Sequence, residues 1–155
     1  MKDFEFYDVP RPNRTGGGVG VLLRKAFTVK RKVGPLFTSM ELLDLDLEVS
    51  HGSSLIRLVT IYRPPRSKKN TSTQSDFLTD FSTLLETLTL APGYLLLNGD
   101  FNLHMDVQND VFANSFKDLL ESAGLTQRII GHTHRNGHTL DLTIDRHEGT
   151  KLSSL

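Results

Sequence analysis

At 155 residues, with 18 Lys and Arg balanced by 18 Asp and Glu, the chain fits one domain with a sizeable core and carries no global electrostatic pull toward nucleic acid or membrane. It contains no cysteine, which excludes disulfides, thiolate nucleophiles and cysteine-held zinc and fits a reducing compartment. No apolar run approaches the roughly 18 residues of a membrane span, so the expected protein is intracellular, nuclear or cytoplasmic, neither secreted nor bound to a membrane.

In chain order, the opening stretch to Arg14 is polar with two prolines. Thr15-Gly16-Gly17-Gly18 then reads as a flexible turn into the apolar run Val19 to Leu23, a strand, and Phe27 to Val33 is a candidate hairpin partner for it. From Met40, Leu43, Leu45, Leu47 and Val49 alternate with Asp44, Asp46 and Glu48, the period-two pattern of a strand with one wet face. After the turn-like His51-Gly52-Ser53-Ser54, Leu55 to Tyr62 reads as another strand, ended by Pro64-Pro65, and Arg66 to Ser75 is a polar loop. Phe77, Phe81, Leu84, Leu85 and Leu88 recur at helical spacing, with Thr73, Ser75 or Asp76 as caps and Pro92-Gly93 as the stop. Tyr94 to Leu97 is a short buried strand. A second amphipathic helix runs through Val111, Phe112, Ser115, Phe116, Leu119 and Leu120 to Gly124, and Leu140, Leu142 and Ile144 alternate as a last strand.

The most informative segment is Gly99-Asp100-Phe101-Asn102, an acid and an amide two positions apart directly after a buried strand. Strand ends hold such groups accurately. In phosphodiester hydrolysis a carboxylate can orient or deprotonate the attacking water, and an amide NH₂ can donate to a phosphate oxygen as negative charge develops there. Read alone, the same residues are equally an Asx-rich turn.

Gly-Asp-Phe-Asn after an apolar strand resembles the signature of the endonuclease/exonuclease/phosphatase superfamily. Two further segments resemble it in the same chain order: Ile61-Tyr62-Arg63-Pro64-Pro65, and Thr133-His134-Arg135-Asn136-Gly137-His138-Thr139-Leu140-Asp141. The Gly-rich turn before Val19 and the Gly-Leu-Thr-Gln before the threonine loop are similar to the endonuclease domains of non-LTR, LINE-type retrotransposons, and the resemblance extends from Gly16 to Ile144. It implies a DNase I-like two-sheet α/β sandwich flanked by helices, formed by residues 1–155 as one partial domain, and DNA nicking with Mg²⁺ or Mn²⁺ that primes reverse transcription. Carried over residue by residue, Asp100 acts on water, the Tyr62 hydroxyl and Asn102 contact phosphate, and Asp141 orients a catalytic histidine further along. Thr133 is a DNA-backbone contact and Gly137 the turn of its loop. Arg63 and Arg66 begin a basic loop that flanks the phosphate pocket.

The departures from the family pattern are as specific. Members begin with a strand bearing asparagine and a second ending in a metal-binding glutamate, and they end in a Ser-Asp-His-like segment. None of these is present, so no metal ligand is assigned, and His147 stands too close to Asp141 to replace the missing histidine. The sheets of such a fragment are expected to expose edges, and its isolated nuclease activity to be weak or nil. DNA is the expected partner, within a longer reverse-transcriptase polyprotein.

Three other readings compete. The first is a catalytically dead remnant that serves as a nucleic-acid-binding or interaction module, and the second another phosphatase or phosphodiesterase of the same superfamily. The third is zinc held by His132, His134 and His138, which lacks an evident further ligand. The basic runs Arg24-Lys25 and Lys30-Arg31-Lys32 are candidates for tracking phosphates, although such runs are usually solvated faces.

Overall fold

The structure is a computed structural model that describes residues 2–11, 18–49 and 54–146. The turn residues Gly16, Gly17, His51, Gly52 and Ser53, and His147, lie outside the described residues. The strands are β1 (Phe4–Pro10), β2 (Gly18–Arg24), β3 (Phe27–Arg31), β4 (Glu41–Val49), β5 (Leu55–Tyr62), β6 (Tyr94–Asp100), β7 (Leu125–Gln127) and β8 (Asp141–Arg146). Two helices, α1 (Gln74–Leu88) and α2 (Val111–Ser122), complete the order.

β1 and β2 form a two-stranded antiparallel sheet, and the others form a six-stranded sheet in the order β3-β4-β5-β6-β8-β7. This corrects the expected hairpin: the residues from Phe27 onward pair with β4, while β2 pairs with β1. It also corrects the opening stretch, which is a strand although Phe4 and Phe6 remain 37% and 62% exposed. Cross-strand pairing holds it, since the pattern of its side chains offers little burial.

The two faces of the large sheet differ. One is covered by both helices, and Phe77, Phe81, Phe101 and Phe116 lie fully buried there. Their rings pack at centroid separations from 4.9 to 6.5 Å, Phe77 stacked on Phe81 and the other pairs edge-on or tilted. Each such ring contributes about 1.5–3 kcal/mol by burial. The other face packs Leu43, Leu45, Leu47 and Leu58 against Val19 and its neighbours on the small sheet. The result is a two-sheet sandwich flanked by helices.

α1 begins at Thr73, whose hydroxyl accepts from Asp76 N while the Asp76 carboxylate accepts from Thr73 N, a complete capping box. The expected wet face of β4 is only partly wet. Asp44 is buried at 5% exposure beside the equally buried Arg57, and Arg57 also donates to Asp46 at 3.0 Å. Arg57 thus faces two carboxylates of β4 from the neighbouring strand.

Candidate active site

Chemistry gathers where three strands meet at one end of the large sheet. Tyr62, the last residue of β5, pairs in parallel register with Asp100, the last residue of β6. Asp100 in turn pairs with Asp141, the first residue of β8. Residues directly opposite in a sheet point to the same face, so these three side chains form one row on the face turned from the helices. The sequence reading placed Tyr62, Asp100 and Asp141 in function separately, and the fold brings them together.

Local backbone explains how β6 delivers this row. Gly99 takes φ +139, and a Cβ at this position would lie 2.8 Å from the Ile61 carbonyl carbon and nearer still to its oxygen. Only glycine allows β5 and β6 to approach so closely. Past the strand end, Asp100 O accepts from Arg63 N at 2.9 Å and Phe101 N donates to Leu140 O at 3.0 Å, so both neighbours grip the chain. Phe101 then enters the phenylalanine cluster under the helices, which leaves Asp100 and Asn102 to the other side.

Asn102 has φ 47, the one non-glycine residue with positive φ among the described residues. Its N–H donates to Asp100 Oδ1 at 3.0 Å, and its Nδ2 donates to Arg63 O at 2.7 Å. One N–H of the side-chain amide is thereby used and the second is free to reach a phosphate oxygen. Asparagine is among the side-chain-bearing residues that most readily adopt this left-handed backbone, and its own hydrogen bonds hold it beside the carboxylate.

Burial holds the Asp100 carboxyl above its usual range, and the Asp141 charge adds to this, while the Asn102 N–H and His134 favour the anion. A carboxylate that holds its proton more readily is a better base, as proton abstraction from water requires. The Tyr62 ring lies under the Arg11 guanidinium, whose carbon is 5.2 Å from the ring centroid. Arg11 is held by Glu41 at 2.5 Å, and Glu41 is the register partner of Tyr62 on β4, which extends the row to four residues. Glu41 was missed in the sequence because an acid opening an alternating strand has the pattern of any solvent-facing residue.

The threonine loop is tied to the row. Thr133 Oγ1 accepts from both Leu140 N and Asp141 N at 2.9 Å, which fixes the start of β8 and leaves its hydroxyl hydrogen free to donate. Gly137 has φ +83 and donates its N–H to His134 O, closing the turn expected of it. Asp106, unsuspected in the sequence, pins the far end of the loop by accepting from Thr139 N at 3.0 Å and pairing with His138 Nδ1 at 3.1 Å. The His138 ring stacks on His104 at 4.1 Å.

Arg63 and Arg66 lie elsewhere. Consecutive strand residues face opposite ways, so Arg63 turns from Tyr62 toward the helices and is 8% exposed, and Arg66 stands exposed in the loop that follows. Asp100 and Asp141 are the adjacent acids of the row, yet among the described residues no group of three or more His, Asp or Glu side chains is placed to hold a metal ion. Among the described residues, His132, His134 and His138 likewise form no such group.

No protein-family model matches the sequence, and no curated protein matches it. Solved structures do. An endonuclease/exonuclease/phosphatase family protein from Bacteroides thetaiotaomicron superposes with TM-score 0.67 at 10% identity, over 95% of this chain and 62% of that one. The catalytic domain of human Nocturnin, with a bound sulfate anion, gives 0.60 at 14% identity, over 94% of this chain and 62% of that one. TDP2 of D. rerio, complexed with a single-strand DNA product, gives 0.56 at 15% identity, over 94% of this chain and 62% of that one.

The chain has the endonuclease/exonuclease/phosphatase fold. It spans less than two thirds of the length of these structures, each of which continues beyond the matched region, as the reading of a partial DNase I-like sandwich expects.

Proposed function

We propose that this chain is part of a phosphodiester-cleaving hydrolase of the endonuclease/exonuclease/phosphatase superfamily, specifically a DNA-nicking endonuclease of the non-LTR retrotransposon type. The observation that carries the reading is the row Tyr62, Asp100 and Asp141 with Asn102 beside it, three carry-over positions of the resemblance side by side on one face and the fourth at its edge. Asp100 orients and deprotonates water, the Tyr62 hydroxyl and the free Asn102 N–H meet the phosphate, and Asp141 awaits a histidine from outside the described residues. Thr133 offers its hydroxyl to the DNA backbone beside the Gly137 turn. A DNA product bound to the similar D. rerio TDP2 supports DNA as the substrate class.

Mg²⁺ or Mn²⁺, implied by the resemblance, would supply charge opposite the developing phosphorane. The described residues do not complete its ligand set, so the chain alone is expected to nick weakly or not at all. The test is Mg²⁺-dependent nicking of supercoiled plasmid by the purified chain and by a version extended with the family's Glu-bearing and Ser-Asp-His-bearing segments. Nicking by the extended form that is lost in Asp100→Ala supports the enzyme. A folded extended form that binds DNA without nicking it would favour the second reading, a binding remnant.

A further inference from the structure

Arg63 is a buried cation whose charge is not matched. It is 8% exposed, the same as Arg57, but Arg57 is met by two carboxylates whereas no carboxylate pairs with Arg63 among the described residues. Its guanidinium lies between the rings of Phe77 and Phe112, 5.2 and 4.8 Å from their centroids. Nη1 donates to the carbonyls of Asn102 at 3.0 Å and Phe101 at 3.4 Å. Nε and Nη2 find no acceptor among the described residues. Burial alone pulls the Arg63 pKa down, the mark of a charge that lacks a counter-ion. Aromatic faces and two carbonyls offset part of the desolvation, and buried guanidinium groups ordinarily gain an anion as well.

Arg63 borders a cavity of about 490 Å³ whose other walls are Arg66, Ser72, Thr73, Gln74 and Ser75. This is where the 15-residue helix α1 begins. The N–H groups of Gln74 and Ser75 are not used by the capping box, which engages Thr73 and Asp76. Such groups point outward along the positive end of the helix. Arg66 makes no hydrogen bond or ion pair among the described residues and is exposed at the rim. The Asp76 carboxylate, already accepting from Thr73, lies in the first turn but does not line the cavity.

We infer that this cavity is a phosphate-binding site, in which Arg63 and Arg66 meet the oxyanion from two sides and the first N–H groups of α1 cap it. The site lies on the helix side of the sheet, one residue along the chain from Tyr62. It goes beyond the nicking reading, because an anion can bind here whether or not the row on the other face is competent. A nucleic-acid backbone and free phosphate share this chemistry. On DNA the site would hold a phosphate other than the scissile one.

The test is an NMR titration of the ¹⁵N-labelled full chain at constant ionic strength with inorganic phosphate, with a short single-stranded oligonucleotide, and with chloride as the control. Saturable shifts of the Gln74 and Ser75 amides and of Arg63 Nε–H are expected with phosphate, with affinity reduced roughly tenfold in Arg66→Ala and unchanged in Tyr62→Phe. Response to phosphate but not to the oligonucleotide assigns a small-anion site, and response to both assigns a backbone contact. Either supports the site. Equal shifts with chloride, no shift with either ligand, or an unchanged affinity in Arg66→Ala would overturn it. Arg63→Met should abolish the response, and if that variant does not fold, Gln74→Pro at the first helical position, which removes one N–H and keeps the helix start after the extended Thr73, takes its place with the same expectation.

Discussion

Gly99→Ala probes the close approach on which the catalytic row depends. A side chain at φ +139, well beyond the left-handed α region, carries backbone strain of about 1–3 kcal/mol in an L residue. Its Cβ would also overlap the Ile61 carbonyl, so β5 and β6 must part where Tyr62 and Asp100 stand in register. Together these effects should destabilise the chain by at least about 3 kcal/mol, comparable to other severe single substitutions. For a chain of this size that lowers Tm by about 6–12 °C. Gly124→Ala is the matched control, since Gly124 also has positive φ, +67, but a Cβ there meets nothing within 4 Å. It should show only the backbone term. Urea unfolding followed by far-UV circular dichroism on both variants gives the comparison. Values for the two within about 0.5 kcal/mol of each other would refute the close-approach argument.

Four other outcomes follow from the same geometry. Arg57→Met leaves Asp44 buried without its cation and should cost about 3–5 kcal/mol in chemical denaturation. Thr73→Ala removes the capping hydroxyl of α1 and should cost about 1 kcal/mol by the same measurement. Asp100→Asn should stabilise the fold at neutral pH, read as a higher urea midpoint, because it removes a carboxylate whose charge burial disfavours. The raised Asp100 pKa means the protonated form favours folding below the unfolded value and loses that effect as pH rises through the folded one, so the gain of the variant should vanish in acid. Asp106 has the opposite sign: hydrogen bonds from Thr139 and His138 lower its carboxyl to about 2, so its hold on the threonine loop is present above the ordinary value and is lost as pH falls toward 2. Hydrogen exchange of the Thr139 amide across that range checks it, with protection that ignores pH as the contrary result.

What the sequence made legible was mostly periodic. The helix at Phe77, Phe81, Leu84, Leu85 and Leu88 forms with all five buried, and Thr73 is the cap actually chosen among three candidates. Leu142 and Ile144 are buried on the last strand as their alternation implies. The strand at Phe4 was hidden because its aromatics stay largely exposed, so it has no burial pattern to read. β7 is three residues long, too short to leave a period. Partner choice was equally silent: the turn at Lys25 and Ala26 sends β3 into a different sheet from β2, and alternation says which face is wet but not which strand lies alongside. At the site, Asp100, Asn102, Tyr62 and Asp141 stood out because their segments resemble a family. Glu41 and Asp106 did not, since their roles arise only from what lies opposite them in space. That Arg63 is buried against Phe77 and Phe112 was hidden, because a basic loop in sequence conceals the strand parity of its first residue.

The basic run Lys30-Arg31-Lys32 has a meaning that phosphate tracking does not convey. It ends β3, the outermost strand of the large sheet, with Arg31 reaching Asp8 O at 2.8 Å and Lys32 reaching Asp46 at 3.4 Å. Charges on an open rim repel the same rim of another molecule. Positive charge at an outer strand disfavours ladder pairing with a second copy of the same edge, the usual protection of an open sheet rim.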